Sequence, residues 1–194
     1  MDYLQDLNPQ QQQAVMATLG PVLVLAGPGS GKTRVLTHRI AYLIGSMGVP
    51  AYHILAVTFT NKAAREMEAR VAELLGEQRH GLTLGTFHAI CARILRRESD
   101  KLPIESNYVI FDNDDQIRVV KQALQDLNID DKHYRPVSVH AAISNAKNEL
   151  IFPDDYEDQS GRGKVIARAY RRYQELLLTS NGVDFDDLLS LIHI

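Results

Sequence analysis

The sequence predicts an α/β fold in which a parallel sheet with crossover helices is followed by a mostly helical subdomain. In the first half, short apolar runs alternate three times with amphipathic helical patterns, an order that is typical of parallel sheets. In the second half, apolar residues recur mainly at spacings of three and four, which indicates helices. We expect the sheet domain at 1–91, a helical insertion at 92–182 and a return to the core at 183–194.

The first half is predicted to contain three strands, each followed by a helix. Val22–Ala26 is an apolar run between Pro21 and Gly27, which predicts a buried parallel strand. The other two predicted strands are His53–Phe59 and Leu82–Thr86. The predicted helices run from Lys32 to about Ile44, from a cap at Asn61 to near Gly76, and through Ile90, Ile94 and Leu95.

The second half is predicted to be helical apart from one short apolar run, Tyr108–Phe111. Helices are expected over 114–127, 138–150 and about 164–178. Asp112 after the apolar run resembles a catalytic carboxylate, but Asn113 and Gln116 have the spacing of a helix capping box, which favours a structural role. Asp184, Asp186 and Asp187 also precede or begin a predicted helix, where acids complement the helix dipole.

Composition excludes several classes of protein. The 194 residues carry a net charge of −3 and one cysteine, Cys91, so no internal disulfide forms. The seven histidines lack paired metal-ligand spacing, and neither a signal peptide nor an apolar run of membrane-spanning length is present. We therefore expect no membrane association and a cytoplasmic setting. Residues 31–99 nevertheless carry 10 basic and 5 acidic side chains, a positive region suited to a polyanion.

The strongest local signal is a glycine-rich loop between the first predicted strand and its helix. It reads Ala26-Gly27-Pro28-Gly29-Ser30-Gly31-Lys32-Thr33, which matches a phosphate-binding loop except for alanine at its first position. Backbone N–H groups of such a loop hold phosphate oxygens. Lys32 is expected to reach the β and γ phosphates and Thr33 to ligate Mg²⁺. The loop predicts a nucleoside triphosphate, without saying which reaction uses it.

Several further motifs resemble those of superfamily-one DNA helicases of the UvrD/Rep/PcrA group, in the family's order. The segment from Leu7 to Val15 resembles the Q motif, Gly27–Leu36 resembles motif I, and Val57–Met67 resembles motif Ia. Thr86-Phe87-His88-Ala89 is similar to the short motif after the third strand. Two later segments, Ala146–Leu150 and Asp184–Leu188, also resemble family segments.

This resemblance implies a RecA-like core that binds ATP and Mg²⁺ and moves along DNA. Gln11 can bind the N6/N7 edge of adenine with both atoms of its amide, and Arg34 corresponds to a position near the nucleotide. The nucleotide-binding set is therefore Gln11, Ala26, Gly27, Pro28, Gly29, Ser30, Gly31, Lys32, Thr33 and Arg34, with Lys32 and Thr33 as catalytic residues and Thr33 as the Mg²⁺ ligand.

A second set of residues follows the second and third predicted strands, where ligands bind in open α/β sheets. Phe59 offers a ring on which a base can stack, and the neighbouring polar side chains suit a sugar–phosphate backbone. The predicted DNA-binding set is Phe59, Thr60, Asn61, Lys62, Thr86, Phe87 and His88. The partner would be single-stranded or partly duplex DNA, with repair or replication proteins as unidentified further partners and a nucleoid-associated location.

The family's paired carboxylates and arginine finger are expected beyond residue 194, so we expect this chain to be the N-terminal portion of a longer helicase. The resemblance implies 3′→5′ translocation on a single strand. Two alternatives remain open. A nucleotide-gated single-strand-binding module without turnover would use both residue sets, whereas a small-molecule P-loop kinase would use the loop alone.

Overall fold

A computed structural model describes residues 2–158 and 160–193. The chain divides into two compact units, with the division between Ile90 and Cys91. Each unit contains one short parallel pair of strands and has its own buried apolar clusters.

The described residues of the first unit form three α-helices and one strand pair, and a fourth α-helix begins there. The elements are α1 (Pro9–Met16), α2 (Lys32–Gly45), β1 (Leu55–Thr58), α3 (Asn61–Leu75), β2 (Thr83–Thr86) and α4 (Phe87–Arg97). Strands β1 and β2 are parallel, and their register runs from Leu55 opposite Thr83 to Thr58 opposite Thr86. The carboxyl ends of both strands therefore lie side by side.

The prediction of a buried strand at Val22–Ala26 is wrong. The segment has no regular secondary structure and belongs to no sheet, and Leu23 and Leu25 are 83% and 87% exposed. A strand needs a neighbour to accept and donate its backbone hydrogen bonds. In the part of the chain that the structure describes, β1 and β2 pair only with each other. The sheet thus has two strands where three were expected.

Apolar faces of α2 and α3 pack with β1 around the core of the first unit. The buried members of this core are Tyr3, Ile40, Ala41, Ala56, Met67, Val71 and Leu75. Helix α1 begins with Pro9 after the cap residue Asn8 and buries Val15 against Leu7 and Val35. Helix α3 is capped by the side chain of Thr60, which accepts from the Ala63 N–H, and not by Asn61 as predicted.

The second unit is built mainly from helices. After α4, its elements are β3 (Val109–Ile110), α5 (Asn113–Asp126), α6 (Pro136–Asn148), α7 (Gly161–Thr179), β4 (Gly182–Val183) and α8 (Phe185–Ser190). Strands β3 and β4 are parallel, with Val109 opposite Gly182. The core between α5, α6 and α7 contains Val120, Ala123, Leu124, Val139, Ile143, Ala146, Ala169, Tyr170, Tyr173 and Leu177.

Acidic residues begin two helices of this unit. Asp112 caps α5 in a capping box with Asp115, one residue before the predicted Asn113–Gln116 box. Asp184 caps α8 in the same way with Asp187. The expected structural role of these carboxylates is confirmed.

Among the described residues, no helix combines the length and the apolarity that crossing a bilayer requires.

Candidate functional site

The predicted phosphate loop joins the irregular segment at 21–25 to the first turn of α2. Two of its glycines, Gly29 and Gly31, have positive φ angles of 74° and 87°, a backbone region that side chains other than glycine rarely adopt. Gly31 is also the N-terminal cap of α2. The glycines therefore produce a turn that leads directly into a helix N-terminus, where backbone N–H groups and the helix dipole favour anions.

Lys32 is exposed at the start of α2 and folds back over the loop. Its ammonium group donates to the carbonyl oxygens of Ala26 at 2.9 Å and Gly27 at 2.8 Å. The hydroxyl of Ser30 donates to the same Gly27 carbonyl at 2.6 Å. The acceptors of the Lys32 ammonium group are therefore neutral carbonyl oxygens. A negatively charged oxygen of a ligand can displace them, because charged acceptors form stronger hydrogen bonds.

A cavity of about 310 Å³ opens beside this loop, at the lower end of the range for small-molecule sites. Its walls include Gln11 and Ala14 of α1, Val24 of the segment before the loop, and Lys32. Thr33 is half-buried and Arg34 is exposed on the same helical turn, and neither belongs to this wall. The remaining predicted loop residues, Pro28 and Gly29, are exposed.

Gln11 connects α1 to the loop. Its Oε1 accepts from the Asn8 N–H at 3.0 Å, which completes a capping box, and its Nε2 donates to the Ser30 carbonyl at 3.0 Å. Both atoms of the amide thus have partners within the protein. The predicted adenine contact stays a prediction, and it would use the second hydrogen of Nε2 and the second lone pair of Oε1.

Two aromatic rings mark the carboxyl ends of β1 and β2. Because Thr58 lies opposite Thr86, the next residues, Phe59 and Phe87, are neighbours, with ring centroids 5.6 Å apart. Phe59 is 90% exposed and Phe87 is 40% exposed. The structure therefore brings the two predicted DNA-binding segments together as an exposed aromatic pair.

The polar members of the predicted DNA-binding set differ in exposure. Thr60, Asn61, Lys62 and His88 are exposed, and the Thr60 hydroxyl caps α3. Thr86 is buried, and its hydroxyl accepts from the Ala89 N–H at 3.2 Å, which secures the start of α4. The Thr86 side chain therefore has a role in the fold.

A buried ion cluster in the second unit was not predicted from the sequence. The Lys147 ammonium group donates to Asp184 at 2.6 Å and to Asp187 at 2.7 Å, and all three residues are at most 3% exposed. The available signal is helical spacing, since Lys147 follows the buried Val139 and Ile143 at intervals of four on α6. A lysine on an apolar face indicates a buried acidic partner.

Within residues 2–158 and 160–193, no three His, Cys, Asp or Glu side chains come together as a metal site. The Thr33 hydroxyl remains as the ligand that the sequence predicts for Mg²⁺, an ion that often takes only one or two protein ligands beside phosphate oxygens and water.

Comparison with known proteins agrees with the motifs. The family described as the UvrD/REP helicase N-terminal domain matches residues 7–193. The ATP-dependent DNA helicases PcrA of Staphylococcus epidermidis and Staphylococcus aureus are each 48% identical over 188 residues, 96% of this chain. The chain spans 26% of the length of these relatives. With a match over nearly its whole length, the chain belongs to the UvrD/REP helicase N-terminal domain family.

Proposed function

We propose that this chain is the N-terminal, nucleotide-binding portion of an ATP-dependent DNA helicase that moves 3′→5′ along a single strand. Within it, the chain supplies the phosphate loop of a RecA-like core and part of the single-strand path. The single observation that carries the nucleotide-binding part of the proposal is the loop itself, where Lys32 at a helix N-terminus is held by two neutral carbonyls beside a cavity. Sequence similarity to DNA helicases supports the assignment to a helicase.

The bonds that Lys32 makes support the proposal of phosphate binding. Its ammonium group can exchange the carbonyls of Ala26 and Gly27 for the β and γ phosphate oxygens of ATP, since charged acceptors form stronger hydrogen bonds. The N-terminal end of α2 adds backbone donors and a partial positive charge. Arg34, exposed one residue after Thr33, is proposed to lie near the nucleotide because the family resemblance implies it.

Mg²⁺ fits the donor set of this loop. Thr33 would supply one hydroxyl ligand, and phosphate oxygens and water would supply the others, as is usual for this ion in nucleotide sites. When bound, Mg²⁺ neutralises charge on the phosphates. The chain's own contribution is to hold the triphosphate through its loop amides and Lys32.

We propose that the chain by itself binds ATP without hydrolysing it at a measurable rate. Hydrolysis needs a group that orients or activates the attacking water. The described residues that line the loop cavity include no Asp or Glu. This composition agrees with the single-strand-binding alternative for the isolated chain and leaves turnover to the rest of the protein.

The single-strand path is proposed to cross the exposed aromatic pair of Phe59 and Phe87. Bases of any sequence can stack on such rings, and the exposed Asn61 and Lys62 beside them suit phosphate contacts. Cytoplasmic and nucleoid-associated localisation and contacts with repair or replication proteins belong to the same proposal.

Isothermal titration with Mg-ATP tests the nucleotide site. We expect weak binding by the wild type and a roughly 10- to 150-fold loss in Lys32→Ala, equivalent to about 1.5–3 kcal/mol for a charged hydrogen bond. The matched control is Lys121→Ala, because Lys121 is exposed on α5 and belongs to the other unit. An unchanged affinity in Lys32→Ala would refute the loop as the binding site.

A turnover assay on the same proteins separates the remaining alternatives. DNA-stimulated ATP hydrolysis that Lys32→Ala abolishes would contradict binding without turnover. Phosphate transfer to a nucleoside or metabolite, with no effect of added DNA, would indicate a kinase.

A further inference from the structure

Gln11 contacts the loop backbone at one peptide group, between Ser30 and Gly31. Its Nε2 donates to the Ser30 carbonyl across 19 residues of sequence. The same amide also lies directly over Gly31, where a Cβ atom would come within 2.7 Å of Nε2. The φ of 87° favours glycine at this position, and a Cβ atom there would also displace the Gln11 amide from its bond to Ser30.

The bond to Ser30 determines the orientation of the following N–H. A trans peptide group is planar, and its N–H points opposite to its C=O. Because the Ser30 carbonyl points to Gln11, the N–H of Gly31 points away from Gln11. Gly31 is the cap residue of α2 and directly precedes Lys32, so this N–H is one of the loop donors available to an anion.

The capping box keeps the Gln11 side chain in place. Oε1 accepts from the Asn8 N–H, and the Asn8 side chain accepts from the Gln11 N–H at 2.8 Å. The Gln11 amide is thus restrained at Oε1 while its Nε2 donates to the Ser30 carbonyl. Because the side chain is already restrained, forming the bond to Ser30 loses less conformational entropy than it would from a freely rotating side chain.

We propose that Gln11 is a positioning residue for the phosphate loop, one that holds the Ser30–Gly31 peptide group in the orientation that binds a triphosphate. This inference rests on the proposed ATP site and adds that Gln11 acts on phosphate binding, independently of any contact with the base. A ligand without a base therefore depends on Gln11 as strongly as ATP does.

The test compares Mg-ATP with inorganic Mg-tripolyphosphate by isothermal titration and by competition. Gln11→Ala is expected to weaken both ligands by a similar factor, about three- to tenfold for one hydrogen bond. Gln13→Ala, an exposed glutamine on the same helix, controls for general effects on α1. Asn8→Ala removes the capping-box bond that the Asn8 side chain accepts but keeps the backbone bond to Gln11 Oε1 and the Ser30 contact. It should therefore lower the thermal midpoint while changing tripolyphosphate affinity less than twofold.

Several outcomes would overturn the inference. Gln11→Ala that weakens ATP but leaves tripolyphosphate unchanged would assign Gln11 to the base alone. An equal loss in Asn8→Ala would assign the effect to the stability of α1. Wild-type protein that binds Mg-ATP without competition from tripolyphosphate would show that the loop does not hold phosphates independently. Wild-type protein that binds neither ligand would refute the ATP site itself, a result distinct from the other three.

Discussion

Two lysines, Lys32 in the first unit and Lys147 in the second, show opposite uses of the same side chain. Each donates two hydrogen bonds of 2.6 to 2.9 Å. Lys32 is exposed and its acceptors are backbone carbonyls, whereas Lys147 is buried and its acceptors are the carboxylates of Asp184 and Asp187. The first arrangement can be exchanged for a ligand, and the second stabilises the fold.

The acceptor and the surroundings explain this difference. An exposed ammonium group that leaves a carbonyl is solvated at once, so exchange costs little. A buried ammonium group that leaves a carboxylate exposes two unpaired charges to an apolar interior, which costs several kcal/mol. The rings of Tyr173 and Tyr170 lie 5.1 and 6.0 Å from the Lys147 nitrogen and add cation–π attraction.

Titration of the buried cluster follows from its charges. Burial by itself lowers the pKa of Lys147, but the charges of Asp187 and Asp184 outweigh burial and raise it. Burial would raise the pKa of Asp184, yet Lys147 outweighs it and lowers that pKa. Burial raises the pKa of Asp187, and although Lys147 opposes this, the neighbouring charge of Asp184 reinforces the rise. The cluster thus holds one carboxylate firmly ionised beside a lysine.

Lys147→Met gives the largest expected effect. It leaves two buried carboxylates without their cation, so the free energy of unfolding should fall by about 3–5 kcal/mol, measured by urea denaturation with circular dichroism. The control Lys121→Met, at an exposed position on α5, should change it by less than roughly 0.5 kcal/mol. A loss below about 1 kcal/mol for Lys147→Met would remove the distinction between the two lysines.

Aromatic residues extend the same comparison. Phe59 is 90% exposed, whereas Tyr173 is fully buried and its hydroxyl donates to Asp184. Phe59→Ala should therefore weaken single-stranded DNA binding by about 1–3 kcal/mol, the value of one stacked base, while stability stays unchanged. Fluorescence anisotropy with a labelled oligonucleotide measures the affinity.

The matched control for that prediction is Tyr52→Ala, which removes another exposed aromatic side chain from the same unit. It should leave DNA affinity unchanged. Equal losses in the two variants would mean that the aromatic pair has no special role.

A change of pH is expected to have a smaller effect on the stability of the fold. The pKa of Asp184 is lowered in the folded state, so its stabilisation is complete above the unfolded value of about 3.9 and disappears as pH falls through the folded value. The destabilisation caused by Asp184→Asn should therefore be smaller at pH 3 than at pH 7. Denaturation at both values measures it, with the exposed Asp155→Asn as control. If Asp184→Asn destabilised the protein equally at both pH values, Lys147 would not hold Asp184 ionised.

Local chemistry made the phosphate loop and the paired strand ends predictable. Gly29 and Gly31 occupy positive φ angles that the motif anticipates, and α2 begins at Lys32 as predicted. The parallel order of β1 and β2 brings Phe59 and Phe87 together because parallel strands end at the same edge. The cap of α3 was displaced by one residue, since the adjacent Thr60 and Asn61 are both able to cap a helix.

Features that depend on distant partners could not be predicted. The apolar run at Val22–Ala26 has a strand's composition, but a strand forms only where a neighbour completes its hydrogen bonds. Lys147 bonds to residues 37 and 40 positions away, which no local pattern specifies. The acids of α8 were predicted as helix-start residues, and their second role became visible only through packing.

Carbon NMR of protein labelled at lysine Cε tests the central distinction most directly, because both lysines report in one titration with Mg-ATP. Lys32→Ala and Lys147→Met assign the two resonances. We predict that the Lys32 resonance shifts and saturates with ATP while that of Lys147 stays in place. A Lys32 resonance that does not move while ATP binds, or an equal shift of Lys147, would contradict the account.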